Sequence, residues 1–398
     1  MTVNSPSAVD APVPQTPTAS GAPFRIFFID NLRWTMIVLV IGMHAADTYS
    51  PLGNWYFVDR TPLSQQTLLM FAAFQMYLQA FFMGLLFFIA ASFAPSSFDR
   101  KGPRRFVGDR AYRLGLPVLF YMFLLGPVTE YYAAHSWNPT RPTSFANEWI
   151  KHIRNGEFLQ ENGPLWFCLA LLIFSLGYAI LRSLNIESGG GSVGEQPPGT
   201  GKMIGFALVM AASTFLIRLA RPAAFLNMHL EDFPQYILMF SAGILSARQE
   251  WLAKFSFASG IKWLIFTLGA GFAAWLAIMA AGGALSGNRR AYGGGWYWQS
   301  AATNLWESFT CVGVCFGLLV LFREKFNAQG RLAKFLSDNA FSVYVFHPPI
   351  VIIGARLLHS TVWHPVLKFA MLTCFGLIAS FALSAVVFRR IPLLRSIL

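Results

Sequence analysis

Charge is what this sequence has least of. Only 12% of its residues are Asp, Glu, Lys or Arg, where soluble domains carry about 25%. Hydrophobic residues supply 55% and the mean hydropathy is +0.49. A soluble globular chain is excluded. Repeated apolar runs near the length of a bilayer crossing predict an all-α, polytopic membrane helix bundle. The runs are continuous rather than alternating, which excludes an outer-membrane barrel. Cysteine is also scarce. Cys168, Cys311, Cys315 and Cys374 each sit inside an apolar run and read as small buried residues. No His or second Cys pair completes a zinc pattern, so no metal and no disulfide framework are expected. Residues 1–24 lack the basic start of a signal peptide; rich in Pro, Ala, Ser and Thr, they read as a disordered tail. A phosphate loop is excluded at Gly201-Lys202, because Gln196 stands where its first Gly belongs and Met203 replaces the Ser/Thr.

Ten spans are predicted, at about 33–50, 68–93, 114–133, 164–182, 203–221, 234–248, 263–284, 303–322, 339–357 and 366–388. The sixth is short. With the N-terminus in the cytoplasm, twenty of the 30 Lys and Arg residues fall on inner segments. That bias predicts both termini inside. It also explains the net charge of +12 without nucleic acid as a partner. Residues 25–390 form one membrane domain and 391–398 a cytoplasmic tail. The inner loop 183–202, with Gly189-Gly190-Gly191 and Pro197-Pro198, reads as a flexible linker between two five-span halves. The outer loop 134–163 is the largest and carries His135, Trp137, Glu148, Trp149, His152, Glu157 and Glu161. Aromatics and carboxylates suit sugars, though Trp also belongs at any membrane interface.

Within the apolar runs, ionisable side chains mark candidate chemistry. Arg33 and His44 are eleven residues apart, which is three helical turns plus about 20°, with about 16 Å of rise. One face therefore carries a cation and a base. Asp47, three residues after His44, either orients its ring or is the first solvated loop residue. Arg110 and Arg113 share a helix side at the mouth of a span, where guanidinium forks suit phosphates. Tyr344 and His347 face one side of the ninth span, as a substrate contact or a packing pair. Glu307 lies deep, where a carboxylate without a role is expensive. Arg218 and Arg221 read as snorkelling, and Asp338 as a cap of its span. Polar groups at mid-depth also fit a transporter or flippase for a glycan, lipid or organic anion. Clear broken helices and paired inverted halves are not visible.

An ordered set of motifs narrows the choice. Asp30-x-Leu32-Arg33 followed by His44 resembles the first-helix signature of the acyltransferase-3 family of integral membrane acyltransferases. The likeness continues through Phe87-Phe88, Asp99-Arg100-Lys101-Gly102, Arg110-x-x-Arg113, Gly163-Pro164-Leu165-Trp166-Phe167, Phe233-Pro234-Gln235-Tyr236 and Ser342-Val343-Tyr344-Val345-Phe346-His347-Pro348. It is closest to the branch containing the glucan-biosynthesis C protein. Two departures stand out. Ala91-Ser92 replaces the family's Ser-Gly, and no carboxylate follows Trp166, where many members carry Glu. Glu307 and Glu130 are the candidates to replace it. The resemblance implies O-transfer of an acetyl or succinyl group from acyl-CoA to a hydroxyl of an envelope glycan or similar acceptor. It implies a bacterial inner-membrane location and no tightly bound cofactor. It further implies His44 as base, helped by Arg33, Asp47 and Glu307; Arg110 and Arg113 as donor-binding residues; and Trp166, Tyr344 and His347 at the substrate.

Overall fold

The computed structural model describes residues 26–53, 55–137, 144–184 and 196–391. The predicted tail 1–24, the Gly189–Gly191 linker and most of the final segment lie outside the described residues. The long helices are α1 (Phe27–Tyr49), α2 (Gln65–Ser92) and α3 (Ala94–Ala133), whose charged first part is kinked at Gly102 and whose apolar part follows. The short amphipathic α4 (Phe145–Arg154) follows. Next come α5 (Trp166–Ser183), α6 (Thr200–Ala220), α7 (Phe233–Arg248) and α8 (Phe257–Ala281). The chain then forms α9 (Trp298–Lys325), α10 (Arg331–His359) and α11 (Pro365–Val386).

Among the described residues, nine of these helices are long and apolar enough to cross a bilayer. The remaining predicted span, the sixth, is α7, only 16 residues long. Its contacts carry it through the bundle all the same. Asp232, just before it, meets Arg218 at the end of α6. Leu252, just after it, accepts a hydrogen bond from Arg323 at the end of α9. Counting α7, eight passes bring the chain back to the end where it began: Asn31 of α1 donates to the carbonyls of Phe326 and Ala328, just before α10.

Burial orders the helices into a core and a rim. The apolar windows of α2, α9 and α10 are 67%, 72% and 67% buried, whereas that of α8 is 17% buried. The outer helices present Leu and Ile to the surroundings, as Ile265 and Ile378 show, because lipid rather than protein satisfies those side chains. Cys168, Cys311 and Cys315 are buried as predicted, but Cys374 is exposed on α11. Local chemistry sets the ends. Ser64 caps α2 by accepting from the Thr67 amide, and Ser256 caps α8 through the Ser259 amide. Asp338 caps nothing: α10 begins at Arg331, a turn and more upstream, and Asp338 pairs with Lys334 inside it. Two π-helical turns, Ala111–Gly115 and Tyr121–Leu125, interrupt α3, and such turns recur at functional sites.

Candidate active site

His44 lies five residues from the end of α1, where α1, α2 and α10 converge. Its Nδ1 is 3.2 Å from Asp47 Oδ2. Asp47 is buried rather than solvated, because α2 supplies a partner: Gln75 Nε2 donates to Oδ1 at 2.6 Å. Gly53 makes room, since a Cβ there would collide with Asp47 Oδ1. The carboxylate thus holds one nitrogen of the imidazole and leaves Nε2 as the one available to a substrate. Asp, His and an open Nε2 form the arrangement by which acids orient histidine bases.

Two further rings stack on His44. Trp55, from the α1–α2 loop, lies at 3.7 Å and 13°; His347, from α10, lies at 5.3 Å and 12°. His347 is fully buried. Its own tautomer follows from the next residue. Pro348 has no amide hydrogen, so the Tyr344 carbonyl loses its normal helical donor. His347 Nδ1 takes that place at 2.8 Å, and Nε2 has no hydrogen-bond partner.

The loop bearing Trp55 is fastened at several points. Asp59 accepts from Thr61 and, at 3.0 Å, from Lys368 of α11; both side chains of the ion pair are buried. Burial opposes the Asp59 charge, but the Thr61 and Lys368 hydrogen bonds outweigh it and hold the carboxyl below its ordinary range. The Asp59 amide donates to the Thr48 carbonyl at 2.7 Å, and Phe57 meets the His359 ring edge-on.

Two cavities meet at His44. The first, about 280 Å³, is lined by His44, Trp55, Tyr56, Glu161, Trp166, Asn227 and His229. The second, about 370 Å³, is lined by His44, Asp47, Gln75, Met83, Trp166, Tyr236, Glu307 and Tyr344. Of the substrate candidates, Trp166 therefore borders both cavities and Tyr344 one, while His347 stands behind His44. Tyr344 is held by a hydrogen bond to the Pro164 carbonyl. Glu307 reaches the second cavity already paired. Arg218 donates to it at 2.8 Å, to Asp232 at 2.7 Å and to Asn304 at 3.0 Å. Arg218 is thus not snorkelling: its acceptors lie on the segment before α7 and on α9, beyond the reach of local pattern.

Arg33 stands at the opposite end, about 16 Å along α1 from His44. It bonds Asp30 at 3.4 Å and lies over the Phe93 ring at 4.9 Å. Arg110 lies over Phe106, close enough to Arg33 and Arg113 for their charges to interact. Three guanidinium groups thus gather at one mouth, although Arg113 belongs to a π-helical turn rather than to the α-helical spacing expected. Among the described residues no three His, Cys, Asp or Glu side chains converge to hold a metal ion. Sequence reasoning did not find Trp55, Gln75 or the Asp59–Lys368 pair. The only available signal was Pro348, which frees a carbonyl beside His347.

The fold defines an integral membrane protein with two cavities that meet at His44. The chain matches the acyltransferase-3 family model, an acyltransferase domain, over residues 26–389, and so belongs to that family. It is a multi-pass membrane acyltransferase acting on hydroxyl groups. No curated protein and no solved structure gives a significant match.

Proposed function

We propose that the protein moves an acetyl or succinyl group from cytoplasmic acyl-CoA to a hydroxyl of an envelope glycan, with His44 as the base. The observation that carries this reading is the His44–Asp47–Gln75 chain at the junction of two cavities. The acceptor oxygen attacks the thioester carbonyl while His44 Nε2 takes its proton. Asp47 holds Nδ1–H and balances the imidazolium. The C–S bond then breaks, and His44 returns the proton to the thiolate sulfur. An imidazole can both accept and return a proton, which suits both transfers.

The Arg33 end is cytoplasmic in this reading, since most inner Lys and Arg residues lie there. Arg33, Arg110 and Arg113 hold the phosphates of the donor. Arg33 is too far from His44 to steady the reacting carbonyl, so its role is at the donor. The slender pantetheine arm spans the interval. The second cavity, which reaches Met83 at mid-depth of α2, is the end of that path. The first cavity, with Trp55, Trp166 and Asn227, admits the acceptor. Glu307, tied to Arg218, shapes the deeper cavity rather than moving a proton. The likeness to the glucan-biosynthesis C branch favours succinyl transfer to a periplasmic glucan. The test is donor consumption by the purified protein: thiol release from acetyl-CoA or succinyl-CoA that depends on a glucan supports the reading. Acceptor modification without any thiol release opposes it.

A further inference from the structure

His44 has a counter-ion and an open nitrogen, but Arg33 cannot reach the carbonyl oxygen that becomes negative during transfer. Some other donor must serve it, because stabilising that oxyanion is a principal term in acyl transfer. The first cavity holds one acid, Glu161. It sits on the segment between α4 and α5, outside the membrane-spanning helices.

Two consecutive residues of the α1–α2 loop tie this acid to the base. Trp55 stacks on His44, and the Tyr56 hydroxyl donates to Glu161 Oε1. Since Tyr56 spends its proton there, Tyr121 of α3 supplies the one between the two phenols, at 3.0 Å. Gly163 permits this packing: a Cβ there would stand 2.5 Å from the Tyr121 oxygen, and its φ is +48°. The groups facing Glu161 are Tyr56, Tyr121, Glu130 of α3, and, across the cavity, His44 and His229. Behind Glu130 lies His152 of α4, at 3.4 Å. Burial first, then the adjacent Glu130, raise the Glu161 carboxyl to about 9. Both causes favour the neutral carboxylic acid; Oε1 accepts from Tyr56, which leaves Oε2 to carry a proton.

We infer that Glu161 acts as a neutral acid in the transfer, donating a hydrogen bond from Oε2 to the thioester carbonyl oxygen as His44 deprotonates the acceptor. This rests on the reading of His44 as base. Glu161 keeps its proton throughout: it stabilises the oxyanion of the tetrahedral intermediate and releases it when the C–S bond breaks. A carboxyl group kept neutral by its surroundings can serve as such a donor. Glu130 is the competing acceptor for that proton, and the substrate carbonyl displaces it.

The test uses the purified full chain with the acyl-CoA that wild type consumes, acetyl-CoA or succinyl-CoA, and an oligomeric glucan as acceptor. Four proteins are compared from pH 6 to 10: wild type, Glu161→Gln, Glu161→Ala and His44→Ala. Wild-type kcat falls on the alkaline side as Glu161 ionises. Glu161→Gln keeps an N–H donor that cannot ionise, so it stays within about tenfold of wild type at neutral pH and lacks that alkaline limb. Glu161→Ala loses about 10²- to 10³-fold in kcat, the range for one oxyanion donor. An unchanged alkaline limb in Glu161→Gln, or wild-type kcat in Glu161→Ala, overturns the inference. His44→Ala separates the two ideas: if it is inactive while the Glu161 variants match wild type, only Glu161 is misassigned. If it is fully active, the base reading falls first.

Discussion

Replacing Asp47 by Asn probes the site most finely, because its neighbours decide the outcome. The carboxylate has two acceptor oxygens in use: Oδ1 for Gln75 at 2.6 Å and Oδ2 for His44 Nδ1 at 3.2 Å. An amide offers only one. If the substituted amide keeps its oxygen on Gln75, its NH2 faces His44, and Nδ1 must become an acceptor. The ring proton then sits on Nε2, the nitrogen that should receive the acceptor's proton. Gln75 can turn over, since its Oε1 has no partner, and that restores the tautomer. The imidazolium still loses its counter-charge. A correctly placed base is worth about 10²- to 10⁴-fold, and the wrong tautomer in a buried triad costs about 10⁴. His44 keeps 19% of its side chain exposed, so water supplies part of the lost stabilisation. The expected loss for Asp47→Asn is therefore about 10²- to 10³-fold in kcat, with little change in KM for the donor. Adding Gln75→Met leaves the new amide free to turn its oxygen to His44 but restores no counter-charge, so the double variant stays within a few-fold of Asp47→Asn. Thiol release under saturating donor reads both. Wild-type kcat in folded Asp47→Asn would refute the argument.

Other predictions follow from the same contacts. Lys368→Met leaves Asp59 buried without its cation and costs about 3–5 kcal/mol, while adding Asp59→Asn restores most of it. Thermal melting in detergent compares the three. Asp59 is held below its unfolded range, so its stabilising share is present above about pH 4 and is lost as pH falls through its folded value. Melting of wild type and of the Asp59→Asn, Lys368→Met pair should therefore converge in acid; parallel curves would contradict it. Arg110→Met should raise KM for the acyl-CoA several-fold and leave kcat near wild type, because the contact is the same before and during transfer. Arg218→Met should destabilise more than Glu307→Gln. It strands two carboxylates where the second removes one charge, and relative melting temperatures check the order.

How much of this was legible beforehand follows from the range of each interaction. The bundle was legible because lipid imposes its own length and polarity on every span. Even the short α7 was marked by its apolar run, although only its contacts show that it crosses. His44 and Asp47 could be paired from spacing, but the choice between a solvated and a buried Asp47 depended on Gln75, 28 residues away. His347 was visible as polar in an apolar run; its stacking on His44 was not, since 303 residues separate them. Arg218 looked like an interface residue because its carboxylates lie 14 and 89 residues away. Glu161 was seen only as one loop carboxylate among several. Its raised carboxyl comes first from burial and then from Glu130, against the Tyr56 hydrogen bond, and no local pattern brings these groups together.

The central claim is that His44 transfers a proton in acylation of an envelope glycan. Mass spectrometry of envelope glycans tests it most directly, in cells lacking the protein and in cells restored with wild type or His44→Ala at equal membrane abundance. One acyl mass present only with wild type is the predicted result. The same acyl mass restored in full by His44→Ala would contradict it.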